Sequence, residues 1–282
     1  MSTPTEPRVA VVVVSWNSRE DLPRCLRSLE SVGLPLEVVV VDNASADDSA
    51  TAARAALPSA GVIEAGDNLG FGRASNLGWR ATQATYVLFL NPDAEVAPGA
   101  VEAMAGLLDT RPEVGIVGPR TRNADGTPQL SFGPDLTPLS EWRQGRLVRG
   151  VRARRPRVLA EVESLSAFEH EPAWVSASCL LTRRTLLERL DGFDERFFLY
   201  EEDVDLCVRA RQAGFRVLFT PAAQVVHGLG RSMDLAGGRA RAEYDRSHLL
   251  YYRKHHGGWR TALLRFSLAI RGATRRLGRR EP

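Results

Sequence analysis

"RVAVVVVSW", residues 8–16, is a continuous apolar run, short and rich in β-branched residues. A strand with one wet face would alternate. A run with no polar position belongs to a strand covered on both faces. Working outward, Leu22, Cys25, Leu26 and Leu29 fall at i, i+3, i+4 and i+7, the spacing of an amphipathic helix, and Gly33 stops it. "LEVVVVDN" (36–43) repeats the buried strand and "SADDSATAARAAL" (45–57) the helix. "GVIEAG" (61–66), "GRASNLGWRAT" (72–82), "ATYVLFLNPD" (84–93), a helix over 98–110 and "EVGIVGP" (113–119) continue the alternation. This pattern predicts an α/β fold with a mostly parallel sheet flanked by helices.

In such a sheet, right-handed crossovers gather the strand carboxyl ends at one edge, where ligands bind. The residues at or just beyond those ends are Ser15 and Asn17, Asp42 and Asn43, Asn68, Asn91 and Asp93. All are polar, which marks a binding edge. Periodicity fades over 120–172, where "RQGRLVRGVRARRPR" (143–157) holds seven arginines; a basic loop or short hairpin is expected there. Order resumes with the strand "AWVSASCLLTRR" (173–184), a helix near 183–190, a helix ending at Ala213–Gly214 and the strand "RVLFTP" (216–221).

The 282 residues, 44% hydrophobic and 25% charged, fit a soluble globular chain. Cys25, Cys179 and Cys207 lie in apolar contexts and have no metal-ligand spacing, so reduced core thiols are expected. "MSTPTEPR" lacks the apolar region of a secretory signal, and no apolar run is long enough to span a bilayer; a cytoplasmic protein is expected. The charge is uneven. From Arg246 onward ten Lys or Arg face one Glu, a local +9 within a net +3, leaving the remainder near −6.

Four places invite chemistry. Asp42 closes a run of valines; its carboxylate can accept the ring N–H of uracil or thymine, or cap the following helix. Gly70 and Gly72 in "NLGFGRASN" (68–76) allow backbone to approach a ligand, or simply turn from strand to helix. In "LFLNPDAE" (88–95), Pro92 breaks the strand and presents Asn91, Asp93 and Glu95, a set suited to a divalent cation carrying diphosphate oxygens, or to a polar turn. "FDERFFLYEEDVDLC" (193–207) places Glu201, Glu202 and Asp203 together, as a helix start or as a catalytic base.

Taken in order, "VVVVSWN", "VVVVDNASADDS", "NLGFGRASN", "LFLNPDAE", "GFDERFFLYEEDVDLCVRARQAGF", "VVHGLGRS" and "YYRKHHG" resemble family 2 glycosyltransferases over roughly residues 8–256. The likeness is to the rhamnosyltransferase branch of cell-wall and O-antigen assembly. It implies a Rossmann-like GT-A fold, a nucleotide-diphospho-sugar donor, Mg²⁺ or Mn²⁺, and inversion at the anomeric carbon. By position it implies that Asp42 reads the base, that Ser15 and Asn17 lie beside the nucleotide, and that Asn68 and Asn76 contact the donor. Asp93 matches the last acid of the D-x-D metal motif. Asn91 stands where the first acid is expected, so Glu95 or His227 would complete the metal shell. Asp203 matches the base, with Glu202 as the runner-up; repulsion between them would raise one pKa.

The expected transfer is of L-rhamnose from dTDP-rhamnose to a lipid-linked or polysaccharide acceptor. Another UDP- or GDP-sugar donor is one alternative, and a non-catalytic carbohydrate-binding relative another. A sugar-nucleotide pyrophosphorylase would carry a Gly-rich N-terminal loop with Arg and Lys, which "VVSWNSRED" lacks. The transferase domain is expected over 1–245, with its donor part over 8–119 and its acceptor part over 173–232. A basic helical extension would cover 246–282. There "WRTALLRFSLAIRGATRRLGRR" (259–280) interleaves Leu263, Leu264, Phe266, Leu268 and Ile270 with arginines, a pattern for peripheral contact with anionic lipid or for packing on the domain. Nucleic-acid binding is not expected, since glycine and aromatic interleaving is missing. Oligomeric state is left open.

Overall fold

The structure, a computed structural model, describes residues 6–228 and 231–278, with side chains described over 6–228 and 241–268. Leu229, Gly230 and the side chain of Ile270, singled out above within "VVHGLGRS" and the tail, lie outside the described residues.

The first half alternates as expected: β1 (Val9–Ser15), α1 (Leu22–Ser28), β2 (Leu36–Asp42), α2 (Ser49–Ala56), β3 (Gly61–Glu64), α3 (Phe71–Arg80), β4 (Tyr86–Leu90), β5 (Ala94–Val96), α4 (Ala100–Thr110) and β6 (Val114–Asn123). Next come β7 (Pro128–Gln129), β8 (Phe132–Gly133), α5 (Pro138–Arg152), α6 (Pro156–Leu165), β9 (Trp174–Val175), β10 (Cys179–Arg183) and α7 (Arg184–Leu190). The chain closes with α8 (Glu202–Gln212), β11 (Arg216–His227), α9 (Arg231–His255) and α10 (Gly258–Gly278). The main sheet runs β3-β2-β1-β4-β10-β6-β11-β5, with β7 paired to β6. β3, β2, β1 and β4 are mutually parallel, as are β6 and β11; β10 enters antiparallel between β4 and β6.

The unbroken valines are buried from both sides. Val9, Val11 and Val13 pack among Leu22, Leu26, Met104 and Leu108, while Ala10 and Val12 meet Trp79, Phe89, Leu180 and Leu206. Each such side chain contributes about 1.5–3 kcal/mol of hydrophobic stabilisation. On α3, Gly78 lets the helix lie directly on β1: a Cβ there would stand 2.4 Å from Val12 Cγ1.

One expectation changes. Much of the arginine-rich segment 143–157 is helix, not loop or hairpin. Thr137 caps α5 through Ser140, Pro138 sits at its first turn, and Leu147 and Val151 pack on Val158 and Val162 of α6. Its charges are partly answered by Arg146–Glu161 and Arg154–Asp125 ion pairs. The expected boundary between residues 245 and 246 falls inside α9, one continuous helix.

Candidate active site

Register sets the edge. Ser15 pairs with Asp42, Asp42 with Glu64, and Val13 with Leu90, so Asn91 follows level with the end of β1. Ser15 and Asp42 are both buried. Asp42 Oδ2 accepts from the Ser45 N–H at 3.3 Å, whereas Asp42 Oδ1 and Ser15 Oγ are buried without a hydrogen-bond partner. An unpaired buried carboxylate oxygen costs free energy unless a donor arrives, so these two atoms have hydrogen-bonding capacity left over at the strand ends.

The neighbouring asparagines build the rim. Asn17, at φ 51°, accepts from the Ala46 N–H at 2.8 Å. Asn43 donates to Asn68 Oδ1 at 3.0 Å and accepts from the Leu69 N–H at 2.8 Å, bracing the β2 and β3 ends. Two residues expected at the donor site make internal contacts. At Gly70, with φ 78°, a Cβ would stand 2.2 Å from the Phe198 carbonyl oxygen, so its bare backbone serves contact with the segment before α8. Asn76 is fully buried; it donates to the Phe193 carbonyl at 2.8 Å and accepts from Phe193 N–H and Trp79 Nε1. Its polar atoms are spent tying α3 to that same segment.

Beyond β4, Asn91 and Asp93 meet His227 from the end of β11. His227 Nε2 lies 3.1 Å from both Asp93 Oδ1 and Asn91 Nδ2. Gln129 on β7, which sequence reasoning missed, holds the other ring nitrogen at 3.0–3.2 Å. When Gln129 Oε1 accepts from Nδ1–H, the Nε2 lone pair and the Asp93 carboxylate converge on one point. That convergence fits a divalent cation, and a side chain fixing the second nitrogen is the usual support for a metal-bound imidazole. Glu95 is not part of it. Its carboxylate is engaged by Arg24 of α1, and among the described residues no three His, Cys, Asp or Glu side chains cluster as a complete metal shell. No spacing in the sequence pointed to Gln129, because β7 is two residues long and only pairing with β6 brings it to His227.

The acidic triplet divides into three environments. Tyr200 and Glu201 both have positive φ, 70° and 65°, a strained turn of the kind found where geometry matters more than comfort. Glu201 is buried against His248 of α9. Glu202 is buried with Oε2 unpartnered; burial first, then the Asp203 charge, pushes its carboxyl well above the ordinary range. Asp203 is half-buried. Its oxygens accept from the Ala177 N–H at 2.9 Å and the Val204 N–H at 2.8 Å; burial raises its pKa against those hydrogen bonds. Desolvation therefore outweighs the mutual repulsion expected from sequence. The Asn91 N–H donates to Ser178 O at 2.9 Å, so the 176–178 turn joins Asp203 to the Asn91–Asp93–His227 group. A cavity of about 560 Å³ beside α3 and α8, lined by Arg73, Asp194, Arg209 and Lys254 among others, includes none of these residues.

Comparison with known proteins identifies the class. Residues 10–175 match the family described as "Glycosyl transferase family 2". The chain belongs to that family: it is a glycosyltransferase with hexosyltransferase activity. It is 32% identical over 271 residues to the N-acetylglucosaminyl-diphospho-decaprenol L-rhamnosyltransferase of Mycobacterium tuberculosis (strain ATCC 25618 / H37Rv), covering 92% of this chain and 88% of that protein. It superimposes on the mannosyltransferase PcManGT of Pyrobaculum calidifontis, solved with GDP-Man and Mn²⁺, with TM-score 0.57 and 20% identity over 94% of this chain and 81% of that one. The S. aureus TarS 1-349 structure gives TM-score 0.57 and 19% identity over 78% of this chain and 60% of that one. The fold is GT-A.

Proposed function

We propose that this enzyme transfers L-rhamnose from dTDP-rhamnose, with inversion, to a lipid-linked saccharide acceptor. The observation that carries the nucleotide part is the pair of unpartnered buried atoms, Asp42 Oδ1 and Ser15 Oγ, at the end of two paired strands. A fixed carboxylate there accepts the ring N–H that thymine and uracil both present. The sugar and acceptor are supported by the similarity to the decaprenol-linked L-rhamnosyltransferase.

In this reading Asp203 removes the acceptor hydroxyl proton as that oxygen bonds to the anomeric carbon and the bond to the diphosphate breaks. Its two backbone N–H bonds hold it in position. Asp93 and His227 would hold Mg²⁺ or Mn²⁺, which when bound neutralises charge on the departing diphosphate. Asn91, replacing an acid, leaves Asp93 as the one carboxylate of this group.

Thermal-shift titration with dTDP-rhamnose, UDP-sugars and GDP-sugars, each with and without Mg²⁺ or Mn²⁺, tests the reading, because a bound donor raises stability by mass action. Asp42→Asn should weaken dTDP and UDP alike by about 1.5–3 kcal/mol. Asp93→Ala should weaken the donor only when the divalent ion is present. Stabilisation by GDP-sugars alone, or equal donor affinity with and without divalent ions in the parent, contradicts the corresponding part.

A further inference from the structure

Among the described residues, six large apolar side chains are more than half exposed: Leu139, Trp142, Phe168, Trp259, Leu263 and Phe266. Five of them lie on just two helices. Leu139 and Trp142 are three apart in the first turns of α5 and exposed, while Glu141 between them bonds to Tyr252 and His248 of α9. Trp259, Leu263 and Phe266, spaced by four and three, form one stripe on α10, opposite buried Thr261 and half-buried Leu264.

The two helices meet the same internal cluster. Tyr252 of α9 donates its hydroxyl proton to Glu141 of α5, while Leu136 and Leu264 pack against Tyr251 and Tyr252. Phe197, Val204 and Val208 complete that cluster, so it also supports α8, whose first turn carries Glu202 and Asp203.

We infer that the exposed faces of α5 and α10 form one docking surface for an anionic lipid bilayer. Charge identifies the occupant. α10 contains five arginines and no acid, and Arg260 and Arg265 flank its apolar stripe on either side. Arg143 borders Leu139 and Trp142 on α5. Aromatic and aliphatic side chains edged by arginine suit the headgroup boundary, where the rings bury and the guanidiniums stay with phosphate. No helix among the described residues is long and apolar enough to cross a membrane, so the contact lies along the surface. The bilayer contact does not depend on the proposed function. Its catalytic meaning does: a surface sharing its supporting cluster with α8 presents the lipid-linked acceptor on the side of Asp203.

Flotation of the full chain with phosphatidylglycerol–phosphatidylcholine vesicles, without nucleotide-sugar, tests this. The parent should bind these vesicles and not phosphatidylcholine alone, and binding should fall as salt rises. Leu139→Ser/Trp142→Ser and Trp259→Ser/Phe266→Ser should each weaken binding by roughly tenfold or more. Both pairs are exposed, so melting temperature and transfer to a short soluble acceptor should hold. Arg143→Ser/Arg265→Ser provides a second test that leaves the apolar residues intact, and it should weaken binding to the anionic vesicles. Parental binding by the α5 pair overturns the two-helix surface, and equal binding to neutral vesicles overturns the anionic occupant. A parental dimer broken by both apolar pairs, with no vesicle binding, makes the surface an interface between copies. Failure to transfer sugar would count against the proposed function while leaving the vesicle result intact.

Discussion

Three adjacent carboxylates at 201–203 do three different things because each meets a different environment. Glu201 is neutralised by His248, Glu202 is buried with one oxygen unpaired, and Asp203 is held by backbone donors beside the 176–178 turn. Asp203 is the proposed base, and Asp203→Asn replaces one of its carboxylate oxygens with an amide nitrogen of similar size. It should lower kcat at least ~10²-fold with donor affinity nearly unchanged. Glu202→Gln should cost far less in kcat, and it should stabilise the fold at neutral pH by removing a carboxyl whose ionised form is disfavoured by burial and by Asp203. Single-turnover kinetics and donor titration on both variants separate the roles. If Glu202→Gln is the inactive one, the base moves one residue.

At the scale of elements, α9 straps α8, the helix that carries Asp203. His248 contacts Glu201 and Glu141 and is stacked on Tyr244; Asp205 of α8 receives Arg209, Lys254 and His255. Burial alone would lower the His248 pKa, but hydrogen bonds to Glu141 and Glu201 outweigh it and push it up from 6.5 to about 9. The sign follows from linkage. A group whose pKa is raised by folding binds its proton more tightly in the folded state. Its contribution is complete below 6.5 and lost as pH rises through about 9. Melting temperature should therefore fall across that window in the parent, and His248→Gln should be less stable at pH 6 with a flatter profile. Two curves of equal slope would show that another group controls the alkaline loss.

For the whole molecule, the last helices differ in what they hold. α9 supplies Ser247, His248, Tyr251 and Tyr252, all buried, whereas α10 is buried at Thr261 and otherwise half-buried or exposed over its described side chains. Truncation after residue 245 should expose the cluster around Phe197, Val204 and Val208 and abolish cooperative unfolding. Truncation after residue 257 should retain most of the stability and transfer to a soluble acceptor. Calorimetry of the two shortened chains checks this; equal behaviour would mean that α9 is no more part of the catalytic domain than α10.

The buried strands were legible because a strand covered on both faces must be apolar at every position, and "VVVV" before Ser15 and Asp42 satisfies that without reference to anything distant. The strand-end edge followed from that alternation, and with it Asn91 and Asp93. The motif resemblance pointed to His227. Other features depended on contacts far apart in the chain. Glu95 is expected at the metal, yet Arg24 engages its carboxylate, and Asn76 is expected at the donor, yet both its polar atoms bond to Phe193. Gln129, Glu141 and His248 carry no local signature at all. Their roles arise where β7, α5 and α9 meet groups roughly fifty to a hundred residues away, since a hydrogen bond depends on the distance in space that folding creates. Local sequence determined which segments were buried and where the polar edge lay; packing alone decided which polar groups used up their partners internally and which, like Asp42 Oδ1, were left without one.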